Sequence, residues 1–288
     1  MTAKVLVVGA SGMVGQQVVS TLASRAHITV LAVQRQSASE AAYFDGSIES
    51  LRKVFSDAHA DWVINCAGVL SNRIDTGSCA SQCEAISVNA RLPHEIARCA
   101  SEFGGRLIHI STDAVFSGRL SAGYDECDKP DPDDFYGMTK TLGECTAPNA
   151  LTFRCSVIGR DARRSSGLLE WFLGLPPQSS VVGYNDQTWN GVTTEQFAQL
   201  CGAIIAEDAF DHLRSVSHVY HFCPNPPITK YDLLLKFRSF SNKDIEVMPG
   251  QSLNPRSRIL KTRYPDLASY YRAPRSWDEP LRRLFNGA

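Results

Sequence analysis

The sequence has no long apolar run. At the N-terminus only four consecutive apolar residues, 5–8, precede Gly9, and this run is too short for the core of a signal peptide. No other stretch approaches the roughly 20 apolar residues that a membrane-crossing helix needs. We therefore predict a cytoplasmic protein with no membrane partner.

The sequence also lacks an excess of charge of either sign, since 29 Lys and Arg stand against 30 Asp and Glu. A nucleic acid or an acidic membrane surface would select a basic excess, so neither is expected as a partner. The nine cysteines are an odd number, and a chain of 288 residues can bury a core without disulfides. We predict free thiols in a reducing compartment.

A convincing metal-binding pattern is missing as well. His218 and His221 alternate within a strand-like segment, and zinc would need a third and a fourth ligand at credible spacing. Cys79 and Cys83 are separated by three residues, whereas redox and zinc motifs use two. We predict no metal.

What the sequence does have is a core-forming composition with a regular alternation in its first half. Hydrophobic residues make up 43% of the chain and charged residues 20%. Short apolar runs alternate with segments of helical periodicity, which is typical of βαβ units. The predicted strands are 4–8, 28–33, 62–65, 107–110 and 151–157, and the predicted helices are 12–24, 48–58, 83–103 and 136–146. The predicted fold class is α/β, a doubly wound parallel Rossmann sheet with a smaller substrate-binding lobe.

Beyond about residue 158 the alternation weakens and prolines accumulate. Helices are predicted over 194–207 and 230–240. We expect residues 1–157 to form a dinucleotide-binding lobe. Residues 158–288 would form the mainly substrate-binding lobe, with some segments returning to the first lobe. The cleft between the two lobes is the predicted active site.

A glycine-rich turn follows the first predicted strand and opens the first predicted helix. Gly9 permits a tight turn, Gly12 lets a ligand approach the backbone, and Gly15 lets the helix pack closely on the strand. Backbone amides at such a helix N-terminus bind a pyrophosphate. The turn therefore predicts dinucleotide binding by Gly9, Ser11, Gly12, Met13, Val14 and Gly15.

The end of the second predicted strand indicates which dinucleotide is bound. A NAD site usually has an acidic residue there, but this chain has Arg35, which can pair with a 2′-phosphate. NADP(H) is therefore preferred, and NAD(H) stays open. Asp45 follows a possible third strand, where it could reach the adenine or serve as a turn or capping residue.

Tyr136 and Lys140 are spaced i, i+4, on one face of a predicted helix. A tyrosine with an ordinary pKa near 10 exchanges protons poorly at neutral pH, and a neighbouring cation lowers that pKa. We therefore expect Lys140 to lower the pKa of Tyr136. Ser111, Thr112 and Asp113 lie at the carboxyl end of a buried strand, where open α/β sheets bind ligands.

These motifs resemble the extended short-chain dehydrogenase/reductases, and within them the reductases of nucleotide-linked 4-keto-6-deoxy sugars such as the dTDP-4-dehydrorhamnose reductases. The resemblance extends over nearly the whole chain. Its main marks are Gly9-x-x-Gly12-x-x-Gly15, Asn65-Cys66-Ala67-Gly68, Val88-Asn89-Ala90, Ser111-Thr112-Asp113 and Tyr136-x-x-x-Lys140 followed by Gly143-Glu144.

The resemblance implies an NADPH-dependent reduction in which Tyr136 gives a proton to the nascent alkoxide. Lys140 would hold the nicotinamide ribose, and Thr112 would hydrogen-bond the substrate oxygen. Asn89 would anchor a water chain behind the lysine. Cofactor contacts are also implied for Cys66, Ala67, Gly68 and Ser111, and substrate contacts for Asp113, Arg256 and Arg258.

Two departures limit the substrate assignment. Ala114 stands where the reductases have a tyrosine, and Val157 stands where they tend to carry a tryptophan over the sugar. Sugar dehydratases need a second carboxylate after the threonine, which this chain lacks. Two alternatives stay open: an epimerase that retains NAD⁺, and a non-catalytic regulatory subunit that keeps the cofactor site. A homodimer is also open, and the expected partner is a small-molecule nucleotide sugar.

Overall fold

The computed structural model describes residues 2–34, 42–161 and 167–286. A seven-stranded sheet dominates it, and its strands lie side by side in the order 219–221, 150–154, 106–111, 62–65, 3–8, 28–34 and 42–43. All six pairings in this sheet are parallel. Its strands are β1 (Ala3–Val8), β2 (Ile28–Gln34), β3 (Ala42–Tyr43), β4 (Trp62–Asn65), β5 (Arg106–Ser111), β6 (Ala150–Arg154) and β11 (Val219–His221). The predicted doubly wound parallel sheet is confirmed.

Helices cover both faces of the sheet, which explains why its strands are apolar on both sides. On one face, Val18 and Leu22 of α1 pack with Phe197 of α7. On the other face, Phe55 of α2 packs with Ile96 of α4. The helices here are α1 (Met13–Ala23), α2 (Ile48–Ala58), α3 (Cys79–Ala85), α4 (Leu92–Glu102), α5 (Phe135–Leu142), α7 (Thr194–Ala206), α8 (Phe210–Val216) and α10 (Leu267–Tyr270).

Two predicted elements are each divided in the structure. The predicted helix 83–103 is interrupted by a π-helical turn, Ile86–Arg91, directly before Pro93 at the start of α4. Proline has no N–H to donate to the preceding turn, so the regular ladder breaks there. The predicted strand 151–157 ends at Arg154, and β7 (Val157–Ile158) pairs instead with β10 (Val192–Thr193).

The remaining segments form a second hydrophobic cluster that contains Phe172, Phe237 and Trp277. The predicted helix 230–240 corresponds to α9 (Lys230–Ser241). The other elements are α6 (Leu168–Leu173), β8 (Ser179–Tyr184), β9 (Gln187–Trp189), β12 (Ile228–Thr229), β13 (Ile245–Gly250), β14 (Arg256–Arg258) and α11 (Asp278–Asn286). Val219–His221 joins the large sheet beside β6. The division into lobes at residue 157 stays a prediction.

Within the described ranges, no helix is both long and apolar enough to pass through a membrane. All nine cysteines lie in these ranges, and none of them is disulfide-bonded. The chain therefore depends on its packed cores for stability.

Candidate active site

A cleft of about 840 Å³ opens at the carboxyl edge of the large sheet. Its walls come from the segments that directly follow β1, β4, β5 and β6, and these segments contribute Val14, Ala67, Thr112 and Ser156. Open α/β sheets bind their ligands at this edge. The fold thus brings motifs that are far apart in the sequence to one site.

The glycine-rich turn follows β1, and its last part, Met13 and Val14, reaches the cleft. Gly9 has φ +80°, and a Cβ on it would lie 2.7 Å from the backbone nitrogen of Ala67, so only glycine fits there. Gly12 caps α1 without a side chain, which leaves the N-terminal amides of the helix uncovered by a side-chain cap. The backbone oxygen of Ser11 accepts a hydrogen bond of 2.8 Å from the side-chain amide of Gln16, and this bond stabilises the turn.

Arg35 and Asp45 are the two residues predicted at the adenosine end of the cofactor, and Asp45 lies within the described residues. The Asp45 carboxylate accepts a hydrogen bond from the Ser47 amide at 2.7 Å, directly before α2. The structure therefore gives Asp45 the turn role that the sequence left as an alternative. Arg35 lies outside the described residues, so its pairing with a 2′-phosphate stays a prediction.

Helix α5 presents the predicted catalytic pair to the cleft. Asp134 caps this helix by accepting from the Gly137 amide at 2.7 Å, and Tyr136 and Lys140 follow one helical turn apart. Both line the cleft. The Lys140 ammonium is 4% exposed and donates to the Ile110 carbonyl at 2.7 Å. The Thr112 hydroxyl, which also lines the cleft, donates to Oδ1 of Asp113 at 3.2 Å.

Burial controls the protonation of this pair. It raises the pKa of Tyr136 to about 12, an effect that the Thr112 side chain partly offsets. It also lowers the pKa of Lys140 to about 8. The pKa of Tyr136 is therefore raised in the ligand-free protein, whereas the sequence predicts a lowered one. Loss of water from around the phenolate is the largest cause.

Two predicted cofactor residues have their polar groups engaged behind the cleft. The Ser111 hydroxyl donates to Glu144 at 2.8 Å, so it is directed into the protein although Ser111 lines the cleft. The Asn89 amide oxygen accepts from the Val69 amide, and its NH₂ group donates to the Val69 carbonyl and to the Thr139 hydroxyl. Both side-chain N–H bonds of Asn89 are thus used within the protein, and its role as the anchor of a water chain stays a prediction.

The opposite wall of the cleft is basic. Arg256, Arg258 and Lys230 line it near the buried carboxylate of Asp113. Within the described part of the chain, Nε and Nη2 of Arg258 are buried and make no hydrogen bond. Nη2 lies 3.5 Å from Oδ1 of Asp133 and 3.8 Å from Oδ2 of Asp134. Burial lowers the pKa of Lys230, and the charge of Arg258 lowers it further.

Sequence reasoning missed Lys230 because a lysine at the start of a helix carries no distinctive signal. It also missed the wall segment 70–73 and the loop 252–254, which both line the cleft. Tyr184 and Trp189 line the cleft, as does Val157 at the position where a sugar-stacking tryptophan is expected. Among the described residues, no three His, Cys, Asp or Glu side chains come together as metal ligands would.

Comparison with known proteins gives consistent results. The family model described as "RmlD substrate binding domain" matches residues 3–269. A dTDP-4-keto-6-deoxy-D-glucose reductase of Streptomyces niveus is 27% identical over 90% of this chain and 89% of its own length. A dTDP-4-dehydrorhamnose reductase of Burkholderia thailandensis is 34% identical over 52% of this chain and 49% of its own.

A solved structure shares the whole fold. The dTDP-4-dehydrorhamnose reductase of Bacillus anthracis, crystallised in complex with NADP, superposes with a TM-score of 0.81. The alignment covers 100% of this chain and 99% of that one, at 22% sequence identity. The architecture is therefore the same from end to end, although most side chains differ.

Proposed function

Because the chain belongs to the RmlD substrate binding domain family, we propose that it is an NADPH-dependent reductase of a nucleotide-diphosphate-linked sugar. The proposed substrate is a 4-keto-6-deoxy sugar, the class named for the Streptomyces niveus relative. The single observation that carries the proposal is the meeting of Tyr136, Lys140 and Thr112 in one cleft, beside the glycine-rich turn.

The residues present fit a dinucleotide. The close approach of Gly9 to Ala67 and the side-chain-free cap at Gly12 leave room for a pyrophosphate against the first turn of α1. The bound NADPH would supply the hydride. Lys140 lies on the same side of the cleft as Cys66 and Ala67, where its ammonium can donate to ribose hydroxyls.

Tyr136 is suited to donate the proton. Since burial raises its pKa to about 12, the phenol is protonated at neutral pH before the reaction begins. The keto oxygen becomes an alkoxide as the carbonyl is reduced, and an alkoxide is basic enough to take the phenolic proton. Thr112 lines the same cleft as Tyr136 and can orient the same substrate oxygen. Lys140 stabilises the phenolate that forms.

The basic wall is suited to hold the diphosphate. Arg258 has buried N–H groups without acceptors among the described residues, and a phosphate provides the charged acceptors that they lack. Arg256 and Lys230 add positive charge beside it. Tyr184 and Trp189 are placed to contact the nucleoside or the sugar.

The test is NADPH consumption against a panel of dTDP-, GDP-, UDP- and CDP-linked 4-keto-6-deoxy sugars, with NADH run in parallel. Rapid oxidation of NADPH with at least one sugar supports the proposal. Protein that purifies with tightly held NAD⁺ and interconverts sugar epimers would overturn it in favour of an epimerase. Failure with every sugar, together with co-purification of an unrelated enzyme, would favour the regulatory subunit.

A further inference from the structure

One carboxylate faces both arginines of the basic wall. Oδ2 of Asp133 lies 3.0 Å from Nη2 of Arg256, and its Oδ1 lies 3.5 Å from Nη2 of Arg258. The two oxygens of a single carboxylate are thus paired with two different guanidinium groups. The Asp133 side chain is only 19% exposed, so water and salt screen this attraction less than at an open surface.

The fold holds the stems of both arginines in place. Arg256 and Arg258 stand two residues apart on β14, so their side chains leave the strand on the same side. Both stems pack against Gly118, where a Cβ would lie 3.1 Å from Cβ of Arg256 and 3.1 Å from Cγ of Arg258. The Ser257 amide also donates to the Gly118 carbonyl at 2.8 Å. Packing therefore fixes the stems, whereas the direction of each guanidinium depends on what it is paired with.

Asp133 attracts the guanidinium groups and leaves donors free. Among the described residues, those that line the cleft include Arg256, Arg258 and Asp134 but not Asp133. In the same part of the chain, Nε and Nη2 of Arg258 make no hydrogen bond. An oxygen at 3.5 Å attracts the guanidinium but is too distant for a good hydrogen bond. These N–H groups thus stay available to a ligand in the cleft while the guanidinium is already held near it.

We propose that Asp133 is a positioning residue that prepares Arg256 and Arg258 for a diphosphate, and that it makes the site selective for nucleoside diphosphates over monophosphates. This inference rests on the proposed function. The carboxylate draws the two guanidinium groups toward one point, where two linked phosphates can engage one each. A monophosphate can engage only one of them, so it gains less from their arrangement. Side chains that are ordered before binding reduce the entropic cost of binding.

The charge of Asp133 has an opposite effect on binding. Asp133 lies beside the two arginines, and its negative charge repels phosphates. A purely electrostatic role therefore predicts tighter binding once the charge is removed. A positioning role predicts weaker binding. The sign of the change in Kd distinguishes the two roles.

The test is calorimetric titration of the wild type and Asp133→Asn with dTDP, UDP, GDP and the three corresponding monophosphates. Asparagine keeps the size of the side chain and lacks its charge. For the diphosphate that the wild type binds most tightly, Kd should rise by about threefold to tenfold, the range expected when one long side chain is no longer ordered before binding. Kd for the matching monophosphate should change by less than about twofold. The KM for the sugar should rise while kcat stays unchanged, because Asp133 lies outside the cleft lining.

Asp128→Asn is the matched control, since it removes the same charge from the same loop, residues 125–134. Asp128 accepts from the Asp125 amide at 2.7 Å and, in the described structure, forms no ion pair with either arginine. Its Kd values should stay within about twofold of the wild type. A diphosphate Kd that is unchanged or lower in Asp133→Asn would overturn the positioning role and leave the reductase function standing. An equal rise in Asp128→Asn would overturn it as well.

Two further outcomes are decisive. If Asp133→Asn does not fold, as judged by circular dichroism, Asp133→Glu decides, because it keeps the charge and moves the carboxylate by one methylene. Its preference for the diphosphate over the monophosphate should still fall, and a preference equal to that of the wild type overturns the positioning role. A wild type that binds none of the six nucleotides also overturns it. If that protein oxidises NADPH with none of the sugars, the proposed function is overturned too.

Discussion

The arginine at the end of β6, Arg154, and the arginine of β14 that lines the cleft, Arg258, differ in how completely they are paired. Arg154 is 4% exposed, and its guanidinium makes two hydrogen bonds to Glu144, at 2.8 and 2.7 Å. It also lies 5.1 Å from the ring centre of Phe116. Arg258 lines the cleft with two buried nitrogens that lack acceptors within the described ranges.

This difference separates a structural ion pair from a ligand site. Glu144 also accepts from Ser111, so it joins the ends of β5 and β6 behind the catalytic helix. Buried polar groups in folded proteins are normally satisfied, and an exception calls for a partner that is added later. We propose a diphosphate as this partner for Arg258, since the carboxylate oxygens near its Nη2 are too distant for good hydrogen bonds.

The largest effect on stability should come from the paired arginine. Arg154→Met leaves the Glu144 carboxylate buried without its cation, which should destabilise the protein by about 3–5 kcal/mol. Urea denaturation followed by circular dichroism measures this loss. The double variant Arg154→Met with Glu144→Met should recover most of it, because neither charge then remains buried. If Arg154→Met alone is as stable as the wild type, the ion pair between Arg154 and Glu144 has no structural role.

Arg258→Met should have a smaller effect, and on binding instead of folding. One charged hydrogen bond to a phosphate contributes about 2 kcal/mol, which corresponds to a roughly thirtyfold higher Kd for a nucleoside diphosphate. Calorimetric titration with dTDP, UDP and GDP measures it. The urea midpoint should stay within error of the wild type. A loss of stability comparable to that of Arg154→Met would show that Arg258 is also structural.

Lys230 should give the smallest effect, and this effect should depend on pH. Burial and Arg258 lower its pKa, so the amine loses its charge at a lower pH than an ordinary lysine. Because only the ammonium attracts a diphosphate, affinity should fall by about threefold to tenfold as the pH rises through that lowered pKa. Lys230→Arg should flatten the dependence, since arginine stays charged. An equal pH dependence in the two proteins would exclude Lys230 from the site.

The cleft and the ion pair between Arg154 and Glu144 also differ in how far the sequence predicts them. The glycine-rich turn, the strands of the first half and the positions of Tyr136, Lys140 and Thr112 at the ends of predicted elements follow from local periodicity and motif spacing. The partners of Glu144 do not, because Ser111 and Arg154 lie on strands that become neighbours only when the sheet forms. The prediction of a lowered pKa for Tyr136 fails for a related reason, since desolvation depends on the whole surrounding fold.

The central claim is that the phenol of Tyr136 gives the proton in a reduction at this cleft. The most direct measurement is NADPH consumption by Tyr136→Phe beside the wild type, with NADPH affinity measured on the same samples. Loss of a positioned proton donor should lower kcat by about 10²–10⁴-fold and leave the Kd for NADPH within about twofold. Undiminished turnover in Tyr136→Phe would contradict the account.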